Sequence, residues 1–206
     1  SMGIALFLAG CGGSPAMQLL KAKHNDLIIP TDFGVCKGYG CKYYLKTGLS
    51  EAEWQNIKAV FSTPPLDPAE ERQRIRQAIG LFEQYIGPKT GTATDDAGAQ
   101  IINFSTQDQM DCIDESFNTS TYLYLLRKDR LIRLHRLGKP LRRGNYIDRW
   151  PHNTATIHEL TPDAGAKNIV NGPGHYAVDS WFHKNGVAPE IVPAALWSKG
   201  WSPEKK

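Results

Sequence analysis

Apolar residues recur at helical spacing twice in the first half of the chain. Trp54, Ile57 and Phe61 form the first stripe, opened by Ser50 and Glu53 in a capping-box arrangement and closed by Pro64-Pro65. Asp67 then caps a second helix, with Pro68 at its first position and Glu70 at the box position. Its stripe is Ile75, Ile79, Phe82 and Ile86, with Ala78 and Leu81 beside it, and Gly87-Pro88 stops it. The pattern predicts a helical pair over roughly 51–86. A third helix is expected over 112–128, burying Ile113, Phe117, Leu123 and Tyr124. Further on the period drops to two. Residues 131–137 alternate apolar and charged, and 154–160 and 175–182 read as further strands, with 189–193 as a short edge piece. Residues 14–35 read as loop or extended chain. Residues 87–110 read as a long polar connection, and one of that length is more often functional than idle. Helices first and strands late, with short connections, argue an α+β fold in a single domain over 14–206. Its helical part covers about 45–90 and its core about 105–200.

The 206 residues are 41% hydrophobic and 22% charged, enough for a real core, and the net charge of +3 is too small to suggest nucleic acid. No stretch approaches the roughly 20 apolar residues of a membrane span. Ser1-Met2 reads as a cloning remnant. Gly3 to Ser14 is a short apolar run through Leu8-Ala9-Gly10-Cys11. It resembles the lipobox of bacterial lipoproteins, which implies a lipid anchor at Cys11 after removal of residues before it, and hence a periplasmic, membrane-anchored protein. Gly12, where aspartate often retains such proteins at the inner membrane, favours the outer membrane. The other reading of this run is a short strand with a buried cysteine. Cys36 and Cys41 bracket Lys37-Gly38-Tyr39-Gly40, whose glycines let so short a loop close as a disulfide. Half a metal site is the competing reading, but only His24 lies near in sequence. Cys112 is left as the free thiol.

Cys112 is also where chemistry is expected. It opens a helix, whose N-terminal partial charge favours thiolate, while Asp111, Asp114 and Glu115 oppose it. A nearby imidazole is therefore needed. His152, at the entrance to a strand, is the candidate base, and Asp179, an acid amid apolar strand residues, is the candidate partner for that imidazole. His158 and His175 are rival bases. An oxyanion hole needs donors, for which the Cys112 backbone N–H and the side chain of Gln109 or Gln107 are candidates; either glutamine taken singly reads more readily as a loop residue facing water. Trp150 and Trp181 are placed to flank the cleft or to pack the core. No zinc spacing and no glycine-rich phosphate loop occurs.

The order Asp111-Cys112-Ile113-Asp114-Glu115 at a helix start, then His152-Asn153-Thr154-Ala155-Thr156-Ile157, then Tyr176-Ala177-Val178-Asp179-Ser180 resembles the bacterial transglutaminase-like cysteine peptidases, a branch of the papain-like superfamily. The resemblance covers roughly residues 105–182. It implies helices followed by a small antiparallel sheet packed on the cysteine-bearing helix, and a Cys112–His152–Asp179 triad. Two positions depart from the family: Ile113 stands where an acid often follows the cysteine, and Met110 where a tight glycine often precedes Asp-Cys. No cofactor is implied, and calcium on the flanking acids is not expected. The function so implied is a cell-envelope thiol hydrolase or acyl transferase acting on peptide or amide bonds of a protein or peptide substrate. The alternative is a binding or structural lipoprotein that keeps the fold without the chemistry.

Overall fold

A computed structural model describes residues 14–23, 28–98, 108–144, 151–160 and 170–204. Cys11, Gln107 and Trp150 lie outside the described residues. Among the described residues the chain is mixed α+β: five helices with an antiparallel hairpin and a five-stranded antiparallel sheet.

Three helices form where periodicity and caps place them. Ser50 makes a complete capping box with Glu53 for α2 (Glu51–Ala59). Asp67 caps α3 (Pro68–Thr90), accepting from the Glu70 backbone N–H. This helix runs four residues past its expected end. Pro88 sits in the last turn, where the missing N–H removes only one rung, and Gly91, left-handed at φ 70°, closes the helix instead. In α4 (Cys112–Lys128) Asp111 and Asp114 make a second capping box.

Five elements escaped the pattern. Residues 15–23 form a helix, α1 (Pro15–Lys23), and Phe33–Lys37 (β1) pairs with Tyr43–Thr47 (β2) as a hairpin. Both lie where, or directly after where, loop or extended chain was expected. Of residues 131–137 only His135–Leu137 (β3) is strand. Leu141–Arg143 (β4) and the short helix Ala194–Ser198 (α5) carry too few residues to show a period. The other strands are β5 (His152–Glu159), β6 (His175–Asp179) and β7 (Glu190–Pro193). Their order is β3-β5-β6-β7, with β4 beside the first half of β5.

Helix α4 is the centre of the molecule. It packs on β5 and β6 on one side and on β1, α1 and α3 on others. A helix enclosed this way is buried nearly all round, which accounts for its missing stripe; Tyr124 is its one exposed large apolar residue. Most of its buried polar side chains are paired, the Ser116 Oγ being an exception. Asn118 bonds the Cys36 backbone at both ends, accepting at 2.7 Å and donating at 2.9 Å, so α4 is stitched to β1 as a strand would be. The sheet face toward α4 supplies Ala155, Ile157 and Val178 to the main core with Phe82 and Tyr122, whose rings stack at 4.6 Å. On the opposite face Ala177 and Val192 cluster with Trp197 of α5.

Cys36 and Cys41 are joined as a disulfide across the β1–β2 turn. Gly38 and Gly40 take φ of 81° and 66°, and the turn also bends Tyr39 and Cys41 into the left-handed region. Asp114 lies within ligand distance of both sulfurs, but a disulfide leaves neither free to hold a metal. Closing so short a loop restricts the unfolded chain by about 2 kcal/mol. Replacing both cysteines by serine is expected to lower the urea unfolding free energy by that amount; an unchanged midpoint would speak against it.

Candidate functional site

The site begins at the start of α4. Asp111 accepts from Ile113 and Asp114 backbone N–H groups at 3.0 Å, fixing Cys112 as the first helical residue. Asp114, fully buried, closes the capping box on its own helix and also reaches out to the disulfide loop. It accepts from Cys41 N–H at 2.6 Å, Tyr39 N–H at 2.8 Å and Asp111 N–H at 3.2 Å. Asp111 accepts from Gly40 N–H at 3.1 Å. The disulfide loop thus sits on the helix N-terminus through its own backbone donors.

The Cys112 sulfur meets the start of β5. It lies 4.0 Å from the Pro151 carbonyl and 3.7 Å from Asn153 Nδ2. These residues flank His152. Strand alternation turns Asn153 and Ala155 toward α4 and His152 and Thr154 toward the opposite face. No hydrogen bond joins the sulfur to the His152 ring among the described residues. The thiol is also not activated by its helix end. Burial, and after it the charge of Asp111, push its pKa up to about 12, against the hydrogen bonds from Asn153.

His152 and Asp179 do pair. The imidazole Nε2 lies 2.7 Å from Asp179 Oδ2, with both side chains buried. Trp197 Nε1 donates to the same oxygen at 2.6 Å. Accepting from Nε2–H leaves the Nδ1 lone pair as the basic atom. The ring is enclosed by Trp181, Trp197 and Phe182, with centroids at 4.6, 5.4 and 5.5 Å. A buried histidine–carboxylate pair is not in itself a sign of catalysis here. His135 Nδ1 and Glu71 also lie 2.7 Å apart, fully buried, and that pair ties β3 to α3. What sets His152 apart is the sulfur beside its neighbours.

Gln109 does not serve as an oxyanion donor. Its Nε2 donates to the Thr94 carbonyl at 3.1 Å and its Oε1 accepts from Asp96 N–H at 3.0 Å, so the amide is spent on the loop. Asn153 offers the side-chain donor instead, and no spacing rule marked it. His158 and His175, the rival bases, lie farther along β5 and on β6 and stack on each other at 4.0 Å.

Three buried carboxyls behind Cys112 also went unforeseen as a group. Asp95 accepts from Met110 N–H at 2.6 Å, securing the residue before Asp111-Cys112. Glu83 accepts from Gly186 N–H at 2.9 Å, while its other oxygen is buried without a partner. Glu115 lies against both charges. A signal existed for one of them: Glu83 falls four residues after Ile79, inside the apolar stripe. Burial raises all three, Asp95 to about 7 and Glu83 to about 8, against the hydrogen bonds from Met110 and Gly186; the charge of Asp95 adds to the rise at Glu83, those of Glu83 and Asp95 add to it at Glu115, and those of Asp96 and Asp108 add to it at Asp95. Acids raised in the folded state bind more protons there than in the unfolded chain. Stability therefore falls as pH rises from about 4, the unfolded value, through the folded values, and the loss is complete above them. The urea unfolding free energy is expected to fall by a few kcal/mol between about pH 5 and pH 9, since each tenfold difference in proton affinity between the two states is worth about 1.4 kcal/mol. Glu83→Gln is expected to flatten that slope, and an equally steep variant would exclude Glu83 as its source.

Set against protein-family models, curated proteins and solved structures, the chain finds no match in any of the three.

Proposed function

We propose that the chain is a cell-envelope thiol hydrolase or acyl transferase that opens peptide or amide bonds through Cys112, with His152 as base and Asp179 as its orienting partner. The observation that carries this reading is the 2.7 Å His152–Asp179 bond, buttressed by Trp197, at a strand start that touches the free thiol of Cys112. Helix, then histidine strand, then aspartate strand is the order of the transglutaminase-like fold, and the antiparallel β5–β6 pairing agrees with it. In the reaction the Cys112 S–H proton passes to His152 Nδ1 as sulfur attacks the carbonyl carbon. The tetrahedral oxyanion faces the Cys112 N–H and Asn153 Nδ2. The C–N bond breaks, the amine leaves with the proton from His152, and a thioester remains for water or a second amine. The thiol is neutral at rest and His152 lies on the opposite face of β5, so proton transfer requires the start of that strand to rearrange as substrate binds across the α4 start. The disulfide suits an oxidising compartment, in keeping with a periplasmic lipoprotein anchored through Cys11 at the outer membrane. The test is turnover of envelope peptides by the intact chain against Cys112→Ala, with far-UV circular dichroism to check the fold.

A second reading has its own support. The raised thiol, the absence of a Cys112–His152 hydrogen bond and the three aromatic rings around His152 suit a binding or structural lipoprotein that keeps the architecture without the reaction.

A further inference from the structure

The sheet face turned away from α4 carries a second group of polar side chains, farther along the strands from His152. Pairing of β3, β5 and β6 sets Arg136 opposite His158 and His158 opposite His175, so the three form one row. The imidazoles lie face to face, with centroids 4.0 Å apart and planes 6° from parallel. His175 is 2% exposed and His158 8%. His175 Nδ1 accepts from the Asn171 backbone N–H at 2.9 Å, which puts the ring proton on Nε2. That Nε2 is buried with no acceptor, and so is the Nε of Arg136. Two orphaned donors in one row are unusual in a folded chain, where buried polar groups are ordinarily paired.

Beside the row lies a cavity of about 320 Å³. The residues lining it include His158 and His175, the apolar Leu137, Leu141 and Val170, and Lys139. Burial and the charge of Arg136 hold His158 below its ordinary value, and burial and His158 push His175 down to about 4. Both rings are therefore neutral near pH 7, and the positive charge comes from Arg136 and Lys139. A transition metal does not suit this arrangement. The Nδ1 lone pair of His175 is committed to Asn171, its Nε2 carries a proton, and parallel stacked rings do not aim two lone pairs at one ion. Donors and positive charge over apolar walls suit an acceptor with an aliphatic body.

We infer that this cavity binds a small organic carboxylate, with its oxygens on Lys139 and the His175 Nε2–H and its aliphatic body against Leu137, Leu141 and Val170. The site is separate from Cys112 and stands whether or not the thiol is catalytic.

The probe is 4-methylpentanoate, titrated into the intact chain with the ring resonances of the histidines followed by NMR. Saturable shifts at His158 and His175 are expected, with the His175 pKa rising on binding because a bound anion favours the imidazolium. The neutral 4-methylpentanamide is expected to bind at least tenfold more weakly, and acetate, lacking the aliphatic body, is expected to do the same. Lys139→Met, at an exposed position, and His175→Phe, which keeps the stacked ring but loses the donor, are each expected to weaken binding about tenfold, roughly 1.4 kcal/mol. Lys139→Met suffices where His175→Phe does not fold. Absence of saturation, equal binding of the amide, or wild-type affinity in Lys139→Met overturns the assignment. Inorganic phosphate binding more tightly than the carboxylate overturns it as well, in favour of a phosphate site.

Discussion

Cys112→Ala is expected to abolish turnover of a peptide or amide substrate, a loss on the order of 10⁵- to 10⁶-fold. Alanine has no atom to form the thioester, and the remaining donors at the α4 start act only on an oxyanion that no longer forms. His152→Ala and Asp179→Asn are expected to cost about 10²- to 10⁴-fold, the usual contribution of a positioned base. Alkylation separates this chemistry from simple thiol reactivity. With the thiol pushed up to about 12, iodoacetamide is expected to label Cys112 slowly at pH 7, and the rate should climb about tenfold per pH unit as thiolate forms. No hydrogen bond links the ring to the sulfur at rest, so His152→Ala should leave that labelling curve almost unchanged while removing turnover. No turnover by the parent chain, with Cys112 still labelled at high pH, would transfer the chain to the binding reading.

The parts of this site that sequence patterning reached are those with a local cause. The helix expected from 112 begins there, and Asp111 directly before it is its cap, with Asp114 as box partner. An acid in an apolar strand needs a partner, and Asp179 has two, His152 and Trp197. What patterning missed depends on the chain's long-range packing. The Phe33–Thr47 hairpin has no strict alternation because β1 is buried on both faces between α4 and the core, so its periodicity is weak. Residues 131–134 alternate as a strand does, but Leu134 and Arg133 give their N–H groups to the Glu71 carboxylate instead of a neighbouring strand. The raised thiol also lay beyond local reasoning. The helix end favours thiolate by a fixed, small amount, whereas burial beneath β5 is set by residues about forty positions away.

Asp114→Ala is expected to destabilise the chain by about 3–5 kcal/mol, a large share of the 5–15 kcal/mol of an ordinary domain. Alanine would leave the N–H groups of Tyr39, Cys41 and Asp111 without their acceptor, and each such loss costs about 1–3 kcal/mol where water does not replace it. Water does reach part of the turn, since Gly40 is exposed, so the total falls short of three full losses. Burial and the neighbouring Asp111 raise the Asp114 pKa, which also trims what its charge contributes. Asp114→Asn keeps one acceptor oxygen and the shape but turns an NH₂ toward backbone donors, so it should recover only part of the loss. The consequence for function follows from geometry. Asp114 ties the disulfide turn to the first turn of α4, and the sulfur is held against Pro151 and Asn153 only while that turn is fixed. Urea unfolding should report the stability loss, and iodoacetamide should label Cys112 faster in Asp114→Ala than in the parent as the helix end frays. Loss of stability without faster labelling would place the anchor of Cys112 elsewhere, in the Asp95–Met110 contact behind it.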